Sequence, residues 1–308
     1  MPNHFISMWD IEFEEIMRII LLTDEIKNGF IDVEGALEGY TLGMIFEKPS
    51  TRTRVSFEVA MYQLGGEAIY LPTSTLQLSR GESLKDTAKV LSRYLDILMA
   101  RVYRHETLIE LAEYSDIPVI NGLSDREHPV QIISDLYTIY EHLGRIRDIK
   151  IAFIGDGSNN VAYSLAIAAA KLGVELDIAS PKNYWIEENE RKKLEELAQK
   201  NGGRLRYLVD PVEAVVDADV IYTDTFVSMG MEDERVERLK NFIPKYQVTM
   251  ELLDRASKDV VFMHCLPAHR GEEVLDEVID SEYSIVYDQA ENRLHTQKTL
   301  MLYLLDML

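Results

Sequence analysis

A segment rich in hydroxyls and arginines gives the chain a candidate phosphate site. Residues 50–54 read Ser-Thr-Arg-Thr-Arg, and they follow an apolar run at Thr41–Phe46 and open a helical pattern. The N–H groups at the start of a helix attract anions, and an arginine can hold a phosphate group through two hydrogen bonds. An ordinary capped helix with solvated arginines is the alternative, but this density of donors favours phosphate binding.

A histidine and a glutamine stand at the start of another predicted helix. His128 directly precedes Pro129, and Gln131 follows three positions after the histidine. On a first helical turn, side chains at this spacing lie on the same face and could hold one polar group together. Proline is also common at the start of a helix, so a plain helix entry is the alternative.

An acidic loop follows the predicted strand Val220–Thr223. It reads Asp-Thr-Phe-Val-Ser-Met-Gly from Asp224 to Gly230. The carboxyl end of a strand is where open α/β sheets bind their ligands. A carboxylate together with the hydroxyl of Ser228 would suit an α-amino group, whereas the alternative is a turn that merely caps the next element.

A histidine beside the chain's one cysteine leaves several interpretations open. His264 and Cys265 stand three and two positions before Pro267. Zinc is one possible ligand, but no second pair of ligands stands at a recognised spacing. A cysteine–histidine nucleophile is conceivable, although no oxyanion-binding group accompanies it. A free cysteine is otherwise most often a small buried hydrophobic residue.

A glycine-containing turn partly matches a dinucleotide-binding fingerprint. Gly155 and Gly157 follow the predicted strand Lys150–Ile154, and Asp177 stands near the distance expected of an acid that binds ribose. Asn160 occupies the place of the third glycine. The pattern therefore indicates a ligand-facing turn without a pyrophosphate, and an NAD-binding oxidoreductase is kept as a competing interpretation.

The elements that would position these residues alternate along all 308 residues, which is typical of α/β domains with parallel sheets. Strands are predicted at Thr41–Phe46, Ala68–Leu71, Ile97–Val102, Pro118–Ile120, Lys150–Ile154, Glu175–Ala179, Arg206–Val209, Val220–Thr223, Val260–Met263 and Ser284–Tyr287. Helices are predicted at Asp10–Lys27, Thr51–Leu64, Ser83–Tyr94, Glu106–Tyr114, Ile132–Leu143 and Asp288–Leu308. The length predicts two domains, and the last two of these helices are expected to cross between them.

The composition narrows the classes of function. A net charge of −21 argues against nucleic acid and anionic membranes as partners, because both require basic patches. The N-terminus lacks the features of a secretory signal, and no apolar stretch is long enough to span a bilayer. A single cysteine cannot form an intrachain disulfide. These features predict a cytoplasmic protein.

Taken together, these segments resemble the aspartate/ornithine carbamoyltransferase family along the whole chain. The resemblance implies a carbamoyl-phosphate-binding domain at residues 1–134, with helix 290–308 packing back on it, and an ornithine-binding domain at residues 135–289. Catalytic roles are implied for Arg101, His128, Cys265 and Arg293. Contacts to carbamoyl phosphate are implied for Ser50, Thr51, Arg52, Thr53, Gln77, Arg101, His128, Gln131, Cys265, Leu266 and Arg293, and contacts to ornithine for Asn160, Asp224, Ser228 and Met229.

The resemblance also implies a reaction and an assembly. The side-chain amine of ornithine would attack the carbamoyl carbon, with no metal or organic cofactor. The family sends the loop that contains Gln77 into a neighbouring subunit, which implies a homotrimer or a multiple of trimers. Arg80 stands where aspartate-type members have a lysine, and its role is left open. Another amine acceptor, such as putrescine or lysine, and a non-catalytic binding protein are the further alternatives.

Overall fold

The computed structural model describes residues 3–228 and 230–308. The chain forms two compact units: the first comprises residues up to Tyr137 together with Glu291–Leu308, and the second comprises Thr138–Ala290. Both boundaries fall inside long helices, α5 (Pro129–Leu143) and α12 (Val286–Leu304). The helices expected to cross between domains are therefore the ones that belong to both units.

The first unit is built on a four-stranded parallel sheet. Its strands, in the spatial order β2-β1-β3-β4, are β1 (Thr41–Phe46), β2 (Glu67–Pro72), β3 (Ile97–Arg101) and β4 (Val119–Leu123). β3 is buried along its whole length, whereas the edge strand β2 alternates between exposed and half-buried residues. The helices are α1 (Phe13–Lys27), α2 (Thr51–Gln63), α3 (Leu84–Leu91) and α4 (His105–Tyr114).

The second unit contains a five-stranded parallel sheet. Its strands, in the spatial order β7-β6-β5-β8-β9, are β5 (Lys150–Ile154), β6 (Glu175–Ala179), β7 (Arg204–Leu208), β8 (Val220–Thr223) and β9 (Val261–His264). The helices are α6 (Asn160–Leu172), α7 (Glu188–Lys200), α8 (Pro211–Val215), α9 (Arg235–Phe242), α10 (Met250–Leu253) and α11 (Asp276–Ile279). Aromatic packing strengthens its core, since the rings of Phe226 and Phe242 stack with centroids 4.6 Å apart.

The predicted α/β fold with two parallel sheets is confirmed, but one predicted strand is wrong. Only Ser284 of the segment 284–287 pairs with a strand, through an isolated bridge to Phe262, and α12 begins at Val286. A short apolar run cannot distinguish a buried strand from the first turn of a buried helix. Here Val286 is the first residue of α12, and its side chain is fully buried.

The parallel order determines where the loops lie. In each sheet the carboxyl ends of all strands meet at one edge, and the loops that leave them gather there. In the first unit these loops follow β1, β3 and β4, and in the second they follow β5, β8 and β9. Among the described residues, no helix is both long enough and apolar enough to cross a membrane.

Candidate active site

The hydroxyl-rich segment forms the first turn of α2. Ser50 has an extended backbone (φ −160°, ψ 117°), and its Oγ accepts a hydrogen bond from the N–H of Thr53 at 3.3 Å. A cap of this kind starts the helix at Thr51, which leaves the N–H groups of the first turn directed away from the helix body. Thr53 is buried and Arg52 is half-buried. The turn therefore has the geometry of an anion site.

The two arginines of this segment have different surroundings. Arg54 donates to Glu58 at 2.8 Å, and its guanidinium carbon lies 3.9 Å from the centroid of the Tyr70 ring. These contacts hold Arg54 on the outer side of α2, where it is exposed. No described hydrogen bond or ion pair engages the side chain of Arg52 within the part of the chain that the structure covers. Arg52 is thus the arginine available to a ligand.

A set of buried basic side chains lies in the same unit; it comprises Lys48, Arg101, His128 and Arg293 and is here named the cationic cluster. Three of them stand at element ends, Lys48 after β1, Arg101 at the end of β3 and His128 before α5, whereas Arg293 lies within α12. All four side chains are less than one-tenth exposed. So much buried positive charge favours an anionic ligand, because the charges have lost water as a partner.

The cationic cluster perturbs its own members. Burial, followed by the charge of Arg101, lowers the pKa of Lys48. Burial, followed by the charges of Arg293, Arg101 and Lys48, holds the pKa of His128 well below its ordinary value of 6.5. His128 is therefore a neutral imidazole at neutral pH and can act as a hydrogen-bond donor, but not as an acid. Lys48 was not among the predicted site residues, although its position between a strand end and the hydroxyl-rich segment was a usable signal.

Arg293 contacts two other predicted site residues of the first unit. Its Nη1 donates to Gln131 Oε1 at 2.6 Å, and its Nη2 donates to Thr53 Oγ1 at 3.3 Å. Gln131 in turn donates from Nε2 to Asp135 Oδ1 at 2.8 Å. The network fixes the orientation of the Gln131 amide and brings residues from α2, α5 and α12 into contact.

Gln77 stands outside these contacts. It belongs to a short 3-10 helix, Gln77–Arg80, and both ends of that helix are exposed. In the described part of the chain, the side chains of Gln77 and Arg80 take part in no hydrogen bond. Neither residue is brought to the cationic cluster by contacts within this chain.

In the second unit, a carboxylate cluster forms around Asp224; it comprises Asn159, Asp224 and Cys265. Asp224 directly follows β8 and is 7% exposed. Its Oδ1 accepts from Cys265 Sγ at 3.1 Å and from the N–H of Thr225 at 2.8 Å, while its Oδ2 accepts from Asn159 Nδ2 at 3.1 Å. Burial raises the pKa of Asp224, although the hydrogen bond from Cys265 opposes that rise. A cationic ligand would relieve the cost of burying this carboxylate.

The remaining residues predicted for the acceptor lie on the same loops. Asn160 is the first residue of α6, and its neighbour Asn159 is the residue that caps the helix and contacts Asp224. Ser228 is half-buried on the loop after β8. Met229 lies outside the described residues. The contact from Asn159 to Asp224 was not predicted, because the sequence alone does not show which of the two adjacent asparagines caps α6.

A buried histidine holds the turn that contains Cys265 and Leu266. His264 Nδ1 accepts from the N–H of Leu266 at 2.8 Å, so its other nitrogen, Nε2, has the hydrogen and donates to Glu273 Oε1 at 3.1 Å. Leu266 has a left-handed backbone (φ 56°), which this bond helps to hold. The interpretation as a plain buried hydrophobic cysteine is wrong, since Cys265 is half-exposed and bonded to a carboxylate.

Metal binding at this turn would have to displace existing bonds. The ligand atoms of Asp224, His264 and Cys265 lie within 4.8 Å of one another, which is close enough for a single ion. However, both ring nitrogens of His264 are already engaged by Leu266 and Glu273. The donor set therefore suits a protein turn better than a zinc site.

The glycine turn after β5 is explained by packing rather than by a dinucleotide. A Cβ at Gly157 would lie 2.9 Å from a methyl group of Ile178. Asp177, the residue at the ribose-acid position, is fully buried and accepts from Arg206 at 2.8 and 2.7 Å and from Lys150 at 3.1 Å. It has no room for a ribose hydroxyl, so an NAD site is not favoured.

Comparison with known families divides the chain close to the first boundary of the fold, near residue 140, but assigns residues 291–304 to the second domain, whereas the fold places them in the first unit. Residues 3–141 match the model described as "Aspartate/ornithine carbamoyltransferase, carbamoyl-P binding domain". Residues 147–304 match "Aspartate/ornithine carbamoyltransferase, Asp/Orn binding domain". The two matches together span most of the chain.

Individual relatives extend this similarity over nearly the full length. The ornithine carbamoyltransferase of Archaeoglobus fulgidus is 54% identical over 305 residues, which cover 98% of this chain and 97% of that protein. The anabolic ornithine carbamoyltransferase of Pyrococcus furiosus is 57% identical over 86% of this chain and 84% of its own. A solved structure of ornithine carbamoyltransferase from Pyrococcus furiosus superimposes with a TM-score of 0.92 at 52% identity, covering 98% of this chain and 96% of that one.

Proposed function

This chain belongs to the aspartate/ornithine carbamoyltransferase family, and from that premise we propose that it transfers the carbamoyl group of carbamoyl phosphate to the side-chain amine of L-ornithine. The products are L-citrulline and phosphate. Residues 1–134 with helix 290–308 bind carbamoyl phosphate, and residues 135–289 bind ornithine. The family matches and the relatives named ornithine carbamoyltransferase, at 50–57% identity, support this assignment.

The observation that carries the acceptor assignment is the carboxylate cluster. Asp224 is buried, both of its carboxylate oxygens accept hydrogen bonds, and its hydrogen-bond partners within the described part of the chain include no lysine or arginine. An ammonium group of the acceptor supplies that missing charge. Asp224 and Ser228 hold the α-amino end, Asn160 and the backbone at Met229 hold the α-carboxylate, and Cys265 orients the amine that reacts.

The cationic cluster supplies the site for carbamoyl phosphate. Ser50, Thr51, Arg52 and Thr53 bind the phosphate oxygens at the start of α2. Arg101 and the neutral His128 donate to the carbonyl oxygen, and Gln131 and the carbonyl of Leu266 hold the carbamoyl amide. Arg293 orients Gln131 and Thr53, through the contacts at 2.6 and 3.3 Å, and contributes charge.

The reaction is a direct displacement at the carbamoyl carbon. The neutral amine attacks, a C–N bond forms, and the bond from carbon to the bridging phosphate oxygen breaks. Negative charge develops on the carbonyl oxygen, where one well-placed donor contributes about 2.7–4 kcal/mol. The departing phosphate accepts the proton that the amine loses. The step calls for no metal or organic cofactor.

The assembly is proposed to be a homotrimer or a multiple of trimers, with the loop of Gln77 completing the site of a neighbouring copy. Apolar side chains exposed on α2 and β2, namely Val55, Tyr62 and Ile69, support contact with a second copy. A mixture of inactive Gln77→Ala and inactive Arg101→Ala proteins should regain activity after subunit exchange. A mixture that stays inactive would contradict a shared site. The free thiol at Cys265 supports a reducing compartment such as the cytoplasm.

The function is tested by citrulline formation from carbamoyl phosphate, with ornithine, putrescine, lysine and aspartate compared at equal concentration. We expect product with ornithine and at most traces with the other amines. Product with putrescine instead would retain the family and overturn the acceptor. Absence of product with every amine would favour the non-catalytic binding protein.

A further inference from the structure

Arg238 places a charged side chain inside the second unit, away from the surface that its helix shares with solvent. The residue lies on α9 and is only 5% exposed. Its Nη1 donates to Asp156 Oδ2 at 2.7 Å and to the carbonyl of Phe226 at 3.1 Å. Its Nε donates to Glu234 Oε2 at 3.0 Å, and its guanidinium carbon lies 5.0 Å from the centroid of the Tyr184 ring.

These partners belong to the segments that bear the proposed ornithine residues. Asp156 stands four positions before Asn160, and Phe226 lies between Asp224 and Ser228. Glu234 lies on the far side of the acidic loop, at the start of α9. One guanidinium therefore contacts the loop after β5, the loop after β8 and the segment that leads away from it.

The contacts continue from Asp156 to the carboxylate cluster. Asp156 Oδ1 accepts from the N–H and the hydroxyl of Ser158 at 2.9 and 2.7 Å, which shapes the turn in front of α6. The next residue, Asn159, donates to Asp224 at 3.1 Å. The position of Arg238 is thus transmitted to Asp224 through the turn and, separately, through the carbonyl of Phe226.

We infer that Arg238 is a positioning residue for the amino-acid end of the acceptor; this rests on the proposed function. Stability alone is a poor reason for such a group, because a buried ion pair is often no more stable than apolar residues of the same volume. A planar guanidinium can hold several acceptors at fixed angles, which a lysine ammonium cannot reproduce. Arg238 therefore sets the separation of the loops that hold Asn160 and Asp224.

The inference predicts an effect on one substrate only. A displacement of about 1 Å in bound groups can cost about a hundredfold in rate. A partial loss of the hydrogen bonds made by Arg238 should therefore have a measurable effect. We expect Arg238→Lys to raise the KM for ornithine by about tenfold or more, while the KM for carbamoyl phosphate changes by less than about twofold. A purely structural role would instead lower the unfolding temperature and leave both KM values unchanged in the folded enzyme.

A second variant guards against misfolding of Arg238→Lys. Glu234 is 61% exposed, so Glu234→Gln removes the negative charge from one contact of Arg238 at small cost in stability. We expect it to raise the KM for ornithine by about threefold, because only one of the several charge-assisted hydrogen bonds of Arg238 is weakened. The matched control is Glu251→Gln, which neutralises the acid of another exposed i,i+4 pair of the same unit, Arg255–Glu251.

The experiment measures citrulline formation by the full-length enzyme, together with calorimetric binding of L-norvaline, which keeps the α-amino acid but lacks the amine that reacts. Norvaline affinity should fall in parallel with the KM effect. If the wild type is active and folded Arg238→Lys keeps its KM for ornithine within about twofold of the wild-type value, this inference is overturned while the proposed function stands. The inference is also overturned if Arg238→Lys does not fold and Glu234→Gln has the same KM for ornithine as the control variant Glu251→Gln. A wild type that forms no citrulline would overturn the proposed function and this inference with it.

Discussion

Replacing His128 tests whether the cationic cluster works as a set of neutral and charged donors. The side chain is 5% exposed, and the surrounding cations with burial hold its pKa well below 6.5. His128→Ala removes one donor to the carbonyl oxygen, and we expect kcat to fall by about 10²–10³, or about 2.7–4 kcal/mol. His128→Gln keeps an amide donor of similar reach, so its loss should be smaller.

The lowered pKa of His128 should also make the free energy of unfolding depend on pH. In the unfolded chain it takes up a proton below about pH 6.5, whereas in the folded chain it stays neutral, so the unfolded state binds more protons. The free energy of unfolding therefore rises with pH in this window, by about 1.36 kcal/mol per pH unit for this one group, and levels off above it. The difference between wild type and His128→Gln should follow that slope, because other groups cancel between the two proteins.

The assay combines urea unfolding of both proteins at several pH values between about 5 and about 8 with kcat/KM profiles, which report the groups of the free enzyme. We expect the pH profiles of kcat/KM for wild type and His128→Gln to have the same limbs, because His128 does not titrate in the folded enzyme. Two results would refute the reasoning. One is a difference in unfolding free energy that does not change with pH. The other is an acidic limb near pH 6.5 in wild type that disappears in His128→Gln.

Three further substitutions test, in turn, the phosphate site, the acceptor site and the buried contacts of Glu127 next to His128. Arg52→Ala should lower turnover by about 10²–10³ while the fold persists; Arg54→Ala, which breaks an exposed pair, is its control, and equal activity of the two variants would remove Arg52 from the phosphate site. Cys265→Ala should raise the KM for ornithine more than that for carbamoyl phosphate in initial-rate assays, and equal losses would contradict its acceptor role. Glu127→Gln should lower the free energy of unfolding by about 1–3 kcal/mol, because the buried carboxylate holds Ser7 and Met8 at 2.5 and 2.9 Å; an unchanged denaturation midpoint would contradict that.

Local sequence patterns were sufficient for most of the fold. The strands Thr41–Phe46, Lys150–Ile154, Glu175–Ala179 and Val220–Thr223 lie where the sequence predicted them. Each is an apolar run between turn residues, so burial and backbone preference agree locally. The hydroxyl segment was equally legible, since Ser50 caps α2 through a bond to a residue only three positions away. The segment 284–287 failed because its burial on α12, rather than its composition, decided its structure.

Tertiary structure decided which of the candidate residues meet. Arg293 reaches Thr53 across 240 positions, a contact that no local pattern contains. Burial, together with the charges of neighbouring basic side chains, lowers the pKa values of Lys48 and His128. Asn159 bonds to Asp224 from the cap position of α6, a contact between segments 65 positions apart. Residue types and short spacings limit the chemistry that is available, whereas contact, charge and desolvation depend on which distant segments pack together.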